Sequence, residues 1–180
     1  PRDIRFEERP DPSILKPTDA IVRIAATCVC GSDLWPYRGI QTVGDPVAMG
    51  HEYCGVVEDV GSAVRNDKPG QFVIGSFFAS DNTCPVCNHG YQSSCQQAEL
   101  VGGAQAPLLR VPLADGTLVT MPLMPSPEMV PDLLALSDVM GTGWFGAAAA
   151  EVQPGATVAV VGDGAVGLLA VLSARQMGAE

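Results

Sequence analysis

The sequence predicts a mixed β and α/β protein, with a small β-barrel over residues 1–135 and, over residues 136–180, the first βα unit of a doubly wound parallel sheet. Three observations lead there. Short β-branched runs separated by glycine corners fill the first part of the chain. A helical, Ala-rich pattern takes over near residue 131. A strand-like run at 157–161 then passes through Gly162-Asp163-Gly164-Ala165-Val166-Gly167 into a helical run that reaches Met177.

Composition narrows the class before any motif is read. The chain has 180 residues, 47% of them apolar, enough for one good core or a core and part of a second. Its net charge is −10 and its ten Lys and Arg are scattered, so neither nucleic acid nor an anionic membrane is expected as a partner. No apolar run has the length of a membrane span, and the charged start from Arg2 to Arg9 is unlike a secretory signal, so a cytoplasmic protein is expected. In that compartment six cysteines point to thiolates and metal rather than disulfides. The chain opens on Pro1 and closes where a βαβ unit needs its second strand, which leads us to expect a piece of a longer, two-domain protein.

In order, a Pro-rich charged segment reaches Asp19, and residues 20–27 read as a strand that delivers the chain to Cys28 and Cys30. Residues 53–60 and 71–74 read as strands on either side of the turn-rich 66–70. Residues 80–95 form a loop held by cysteines. The runs 108–111 and 117–121 flank Asp115-Gly116 and predict a hairpin. Residues 131–150 read as helix interrupted at Gly141-Thr142-Gly143, and Pro154-Gly155 turns the chain into the 157–161 strand. Helix 165–177 places Val166, Leu169, Ala170, Ser173 and Met177 on one face.

Three stretches carry chemistry. In the glycine turn, Gly162 allows a tight bend, Gly164 lets a pyrophosphate approach the backbone, and Gly167 lets helix and strand pack closely. A bare strand-to-helix turn is the alternative. Cys84-Pro85-Val86-Cys87 and Cys95 offer three thiolates to a closed tetrahedral metal site that needs a fourth donor, for which Asp81 and His89 are the candidates. Free thiols in a loop are the alternative there. The third stretch is Gly50-His51-Glu52-Tyr53-Cys54-Gly55, with Cys30-Gly31-Ser32-Asp33 upstream; zinc chemistry plus a dinucleotide site is the simplest common explanation. Cys28 and Cys54 lie in apolar strand contexts and read as small core residues.

Gly50-His51-Glu52, followed by Gly55, Gly61 and Val64, is similar to the zinc signature of the zinc-dependent alcohol dehydrogenases of the medium-chain dehydrogenase/reductase superfamily. The whole chain resembles the N-terminal half of such an enzyme. The resemblance implies a GroES-like catalytic barrel followed by a Rossmann domain, zinc, NAD or NADP, and hydride exchange with an alcohol or aldehyde. It also implies a homo-oligomer, dimer or tetramer.

Carried over by position, the resemblance makes Cys30, His51 and Asp138 the ligands of a catalytic zinc, Asp138 standing where many members have cysteine. Thiolate and carboxylate carry the same charge, so the site stays formally neutral with a harder donor. Ser32 is implied as the proton acceptor, Asp33 as the residue that orients His51, and Glu52 as a transient ligand beneath the metal. Trp35 stands where a relay histidine is frequent and is expected to wall the substrate pocket. Thr142, Gly162, Gly164, Val166 and Gly167 are implied at the cofactor, and Asp81, Cys84, Cys87 and Cys95 at a structural zinc, with Asp81 in place of a fourth cysteine. Two other readings stand beside this one, a truncated, zinc-binding but inactive product and a zinc-free enone or quinone reductase.

Overall fold

The computed structural model describes residues 2–44 and 46–180. These fall into two compact units that divide between Leu134 and Ala135. In the first, β1 (Ala20–Thr27) is followed by a 3-10 turn (Gly31–Asp33) and α1 (Leu34–Arg38), then β2 (Tyr53–Val60), β3 (Phe72–Gly75) and β4 (Phe78–Ala79). Next come α2 (Pro85–Asn88), β5 (Glu99–Leu100), β6 (Leu108–Val111), α3 (Ala114–Thr117) and β7 (Leu118–Thr120). Five strands form one antiparallel sheet in the order β6-β1-β2-β3-β7. Strands β4 and β5 pair separately and close the root of the cysteine loop.

The β-branched residues that predict these strands are the ones that fill the core. Val22, Val57, Val73 and Val111 are buried to within 1% of full burial, around the equally buried Tyr53. Each such valine contributes roughly 1.5 kcal/mol or more through the apolar surface it removes from water. Tyr53 fits because its neighbour across β3 is Gly75, where a Cβ would stand 2.1 Å from the phenol ring. Burial raises the Tyr53 phenol far above its ordinary pKa, so it stays neutral. Beneath the first strand, the fully buried Asp19 accepts hydrogen bonds at Oδ2 from Leu15 N, Lys16 N and Arg110 Nη1, at 3.1, 2.9 and 3.0 Å.

The structure corrects the expected hairpin. Strand β6 pairs with β1 and β7 pairs with β3, so the two lie at opposite ends of the strand order. Leu113 adopts the left-handed region (φ 51°) and leads into the single turn α3. The Asp115 carboxylate, expected in a hairpin turn, instead accepts from Arg65 N and Asn66 N, both at 2.9 Å. Thr117 holds the other side, donating its hydroxyl to Leu113 O at 2.9 Å and accepting from Ser80 N at 3.2 Å.

The second unit follows α4 (Val130–Ala135), whose last residue crosses into it, and contains α5 (Val139–Ala149) and α6 (Ala165–Gln176). The helical break falls at residues 136–138, not at Gly141-Thr142-Gly143, through which α5 runs unbroken. Gly143 is a packing device: a Cβ there would lie 2.7 Å from Ala170 N and 2.8 Å from Leu169 C, so its absence lets α5 and α6 approach. On α6, Ser173 and Ala174 are buried while Val166 stays exposed, so the inward face lies nearer the C-terminal end than the periodicity predicts. Residues 157–161, expected as a strand, form no ladder with any other described segment. A strand exists only through hydrogen bonds to a neighbour, whatever its side chains favour.

Candidate functional site

Gly50 sets the geometry of the signature stretch. Its φ of +98° lies in the region that favours glycine, and a Cβ there would stand 2.8 Å from Gln105. The chain therefore turns sharply before β2 and presents His51 and Glu52 at the strand's start, opposite the end of β1. Cys30 caps the 3-10 turn that follows β1, its N–H donating to Asp33 Oδ2 at 2.9 Å. The other Asp33 oxygen, Oδ1, lies 3.3 Å from His51 Nδ1. A neutral imidazole that donates from Nδ1 presents its lone pair at Nε2, the arrangement a ligating histidine requires. The Phe77 ring, edge-on at 5.9 Å between centroids, supports the His51 ring.

Cys30, His51 and Glu52 each offer a ligand atom within 4.8 Å of the others. Glu52 is 2% exposed, a buried carboxylate whose Oε2 accepts from the Cys28 thiol at 2.9 Å. Ser32 lies on the exposed side of the Cys30 turn, and Trp35, in α1, is 56% exposed. Cys54 is buried as expected, with its thiol pushed up to about 11 by that burial. Cys28 is not the core residue its apolar context predicts. It is only half-buried and turned to Glu52. Gln105, for which the sequence indicates no role, donates from Nε2 to Cys28 O at 2.8 Å and from its backbone N to Met49 O at 3.0 Å. The one signal in the sequence for Cys28 is its place two residues before Cys30, and alternation along a strand obscures it.

In the cysteine loop, Asp81, Cys84, Cys87 and Cys95 bring four ligand atoms within 4.8 Å of one another. Zinc–sulfur bonds of about 2.3 Å place tetrahedral neighbours about 3.8 Å apart. Cys84 Sγ lies 3.5 Å from Cys87 Sγ and 4.0 Å from Cys95 Sγ, on either side of that value. Backbone N–H groups are aimed at the sulfurs, from Asp81 and Gln97 to Cys95 Sγ at 3.4 and 3.3 Å and from Cys87 to Cys84 Sγ at 3.5 Å. The Gln96 and Cys87 N–H groups lower the Cys84 pKa, whereas burial and the neighbouring thiols push Cys87 up to about 12. The N–H groups of Thr83 and Cys84, each 2.9 Å from Asp81 Oδ1, hold that carboxyl well below its usual range. Three sulfurs and one ionised oxygen at this spacing fit a closed zinc site. His89 does not converge with these donors; its Nδ1 lies 2.6 Å from Pro85 O.

In the second unit, Asp138 caps α5, and its Oδ1 accepts from the Thr142 hydroxyl at 3.2 Å. This joins two residues that the resemblance places at zinc and cofactor respectively. Gly162 has φ +115°, Gly164 caps α6, and a Cβ on Gly167 would lie 2.0 Å from Gly162 O, so only glycine fits there. Val166 is 40% exposed on the first turn of α6.

An antiparallel five-stranded sheet with a Cys-His-Glu cluster at one strand end and a second, cysteine-rich loop defines a class, the GroES-like domain of zinc-type dehydrogenases. The alcohol dehydrogenase GroES-like domain family matches residues 16–123. The chain is 38% identical to zinc-type alcohol dehydrogenase B of Aspergillus flavus, over 98% of its own length and 43% of that protein. Alcohol dehydrogenase TADH from Thermus sp. ATN1 has a similar structure, with a TM-score of 0.87 and 35% identity over 97% of this chain and 52% of that one. A zinc-binding dehydrogenase from Sinorhizobium meliloti 1021, solved bound to NADP, superposes with a TM-score of 0.74 at 31% identity, over 94% of this chain and 48% of that one. The chain belongs to the zinc-type alcohol dehydrogenases of the medium-chain dehydrogenase/reductase superfamily, and it spans about half the length of the relatives it matches.

Proposed function

We propose that the protein carrying this chain is a zinc-dependent oxidoreductase that exchanges hydride between an alcohol or aldehyde and NAD or NADP. The observation that carries this reading is the convergence of Cys30, His51 and Glu52, with Asp33 Oδ1 3.3 Å from His51 Nδ1. Cys30 and His51 are two metal ligands. Asp138 is the third by its place in Leu136-Ser137-Asp138-Val139-Met140. Zinc bound there supplies Lewis acidity at the substrate oxygen, bringing the alcohol's pKa toward neutrality. Asp33 holds the His51 ring through Nδ1 and the Cys30 turn through its N–H, so one carboxylate aligns both ligands. Ser32 takes up the alcohol proton, and its exposure leaves a path for that proton to solvent.

Asp81, Cys84, Cys87 and Cys95 hold a second zinc that pins the loop and does no chemistry. At Gly162, Gly164 and Gly167 the backbone has the freedom and close contact that a bound pyrophosphate needs, which supports a Rossmann cofactor site lined also by Thr142 and Val166. A homo-oligomer and a cytoplasmic location accompany this reading. The donor set at Cys30 and His51 weighs against a zinc-free reductase.

The test is zinc content per chain by elemental analysis, with nicotinamide-coupled turnover of simple alcohols and aldehydes by the whole protein. Two zincs are expected, falling to one in Asp138→Ala with loss of turnover and to one in Asp81→Ala. Turnover that survives complete removal of zinc would overturn the proposal.

A further inference from the structure

We propose that Cys28 is a positioning residue for the Cys30–His51 centre: its thiol holds the Glu52 carboxylate and so sets how readily that carboxylate enters the coordination sphere of a bound metal. This inference rests on the zinc-dependent reading above and extends it to a residue outside the ligand set.

Four observations place the pair. Cys28 Sγ lies 2.9 Å from Glu52 Oε2, donating S–H to a carboxylate that is 2% exposed. A Glu52 oxygen lies within 4.8 Å of the Cys30 and His51 ligand atoms, near enough to compete for a metal held by them. Each partner's main chain is fixed, since Gln105 Nε2 donates to Cys28 O and the Thr27 hydroxyl donates to Glu52 O, both at 2.8 Å. Finally, Thr27 and Tyr53 are the last pair of the β1–β2 ladder, so Cys28 and Glu52 are the next residue on each strand just beyond its end.

The chemistry follows from burial. A carboxylate removed from water needs donors, and in a low-dielectric site each donor it keeps is worth more than in solvent. The Cys28 thiol occupies one lone pair of Oε2 and restrains the side chain's rotation. Without it, the most favourable remaining partner for that oxygen is the cation itself. Glu52 then enters the coordination sphere more often and assists displacement of the ligands. A hydroxyl at position 28 keeps a donor and preserves the restraint.

The experiment is the rate of zinc release from the purified zinc-loaded protein to excess chromophoric chelator. The kinetic phase that Cys30→Ser removes identifies this centre. Cys28→Ala and Cys28→Val both remove the donor, the second with little change of volume, and each is expected to accelerate that phase roughly 10-fold, the lower end of what outer partners of metal ligands control. Cys28→Ser is expected to release zinc close to the wild-type rate. In a Glu52→Gln background the Cys28→Ala acceleration is expected to vanish, because the competing anionic oxygen is gone. The same acceleration with Gln at position 52, or an unchanged rate in both Cys28→Ala and Cys28→Val, overturns this proposal alone. A wild-type protein with no Cys30-dependent zinc overturns it together with the function on which it rests.

Discussion

Two buried carboxylates show how differently one residue type behaves in this chain. Asp19 is fully buried but holds two backbone N–H groups and the Arg110 guanidinium. Removing that cation leaves a buried anion without its charge partner, which typically costs about 3–5 kcal/mol. Because the two N–H groups remain, Arg110→Ala is expected to lose about 3 kcal/mol of unfolding free energy, read as a lower urea midpoint. Asp67 is also buried, and its Oδ1 accepts from the Thr120 hydroxyl at 2.6 Å while Oδ2 has no hydrogen-bond partner among the described residues. Burial raises its pKa above 3.8, against the smaller opposing effect of Thr120. A carboxyl with a raised folded pKa contributes most below its unfolded pKa, and that contribution is lost as pH rises through the folded value. Asp67→Asn removes the ionisation. Its denaturation midpoint is therefore expected to gain on the wild type between acid and neutral pH, and an equal difference at both would show that Asp67 does not titrate with folding.

At the scale of elements, α5 contains a controlled comparison. Gly143 and Gly141 sit one residue apart from Thr142, on the same helix, with different surroundings. A Cβ on Gly141 meets nothing within 4 Å, whereas on Gly143 it would press on the backbone of α6 at 2.7 Å. Gly141→Ala is expected to raise stability by about 0.5–1 kcal/mol, the helix-propensity gain alone. Gly143→Ala carries the same gain against an overpacking cost of about 1–3 kcal/mol and is expected to lower stability. Urea unfolding of the two variants decides between them, and a stabilised Gly143→Ala would show that α5 and α6 can separate without cost. The sequence signalled helix on both sides of this stretch, but it could not show that these glycines serve contact rather than interruption. That depends on which neighbour lies over each one.

For the molecule as a whole, the cysteine loop is a separable part. It runs from β4 to β5, a separate pair only two residues long on each strand, and beyond the Ser80 bonds to Thr117 and Gly116 at its base it is held by its own internal hydrogen bonds and the four donors. Chelation is therefore expected to open residues 80–98 to proteolysis and hydrogen exchange while the five-stranded sheet stays protected. Loss of protection in β1 and β2 at the same chelator concentration would show that the loop metal holds the five-stranded sheet as well. Most of that sheet was legible in the sequence: β1, β2 and β6 occupy the residues their β-branched runs indicate, and β3 is displaced by one residue. The four residues that converge in the cysteine loop stand close together in the sequence, whereas Cys30, His51 and Asp138 lie far apart along it and were indicated by the resemblance rather than by spacing.

What escaped the sequence has a common physical origin. The partners of β6 and β7, the Asp115 contact with the 65–66 loop, the uninterrupted α5, and the Cys28–Glu52 and Gln105–Cys28 bonds all join residues distant along the chain or depend on what lies across a face. Local propensity and spacing determined where β1, β2, β6 and α6 lie and that the cysteine-loop side chains offer donors close together, since those choices follow from φ/ψ preference and donor chemistry within a few residues; the 157–161 run shows the limit, because it has strand propensity and no strand neighbour among the described residues. Only the tertiary structure decided which strands pair, which glycines are contacts, and that the half-buried thiol of Cys28 faces Glu52, because long-range hydrogen bonds and close packing are set by three-dimensional neighbours rather than by sequence order.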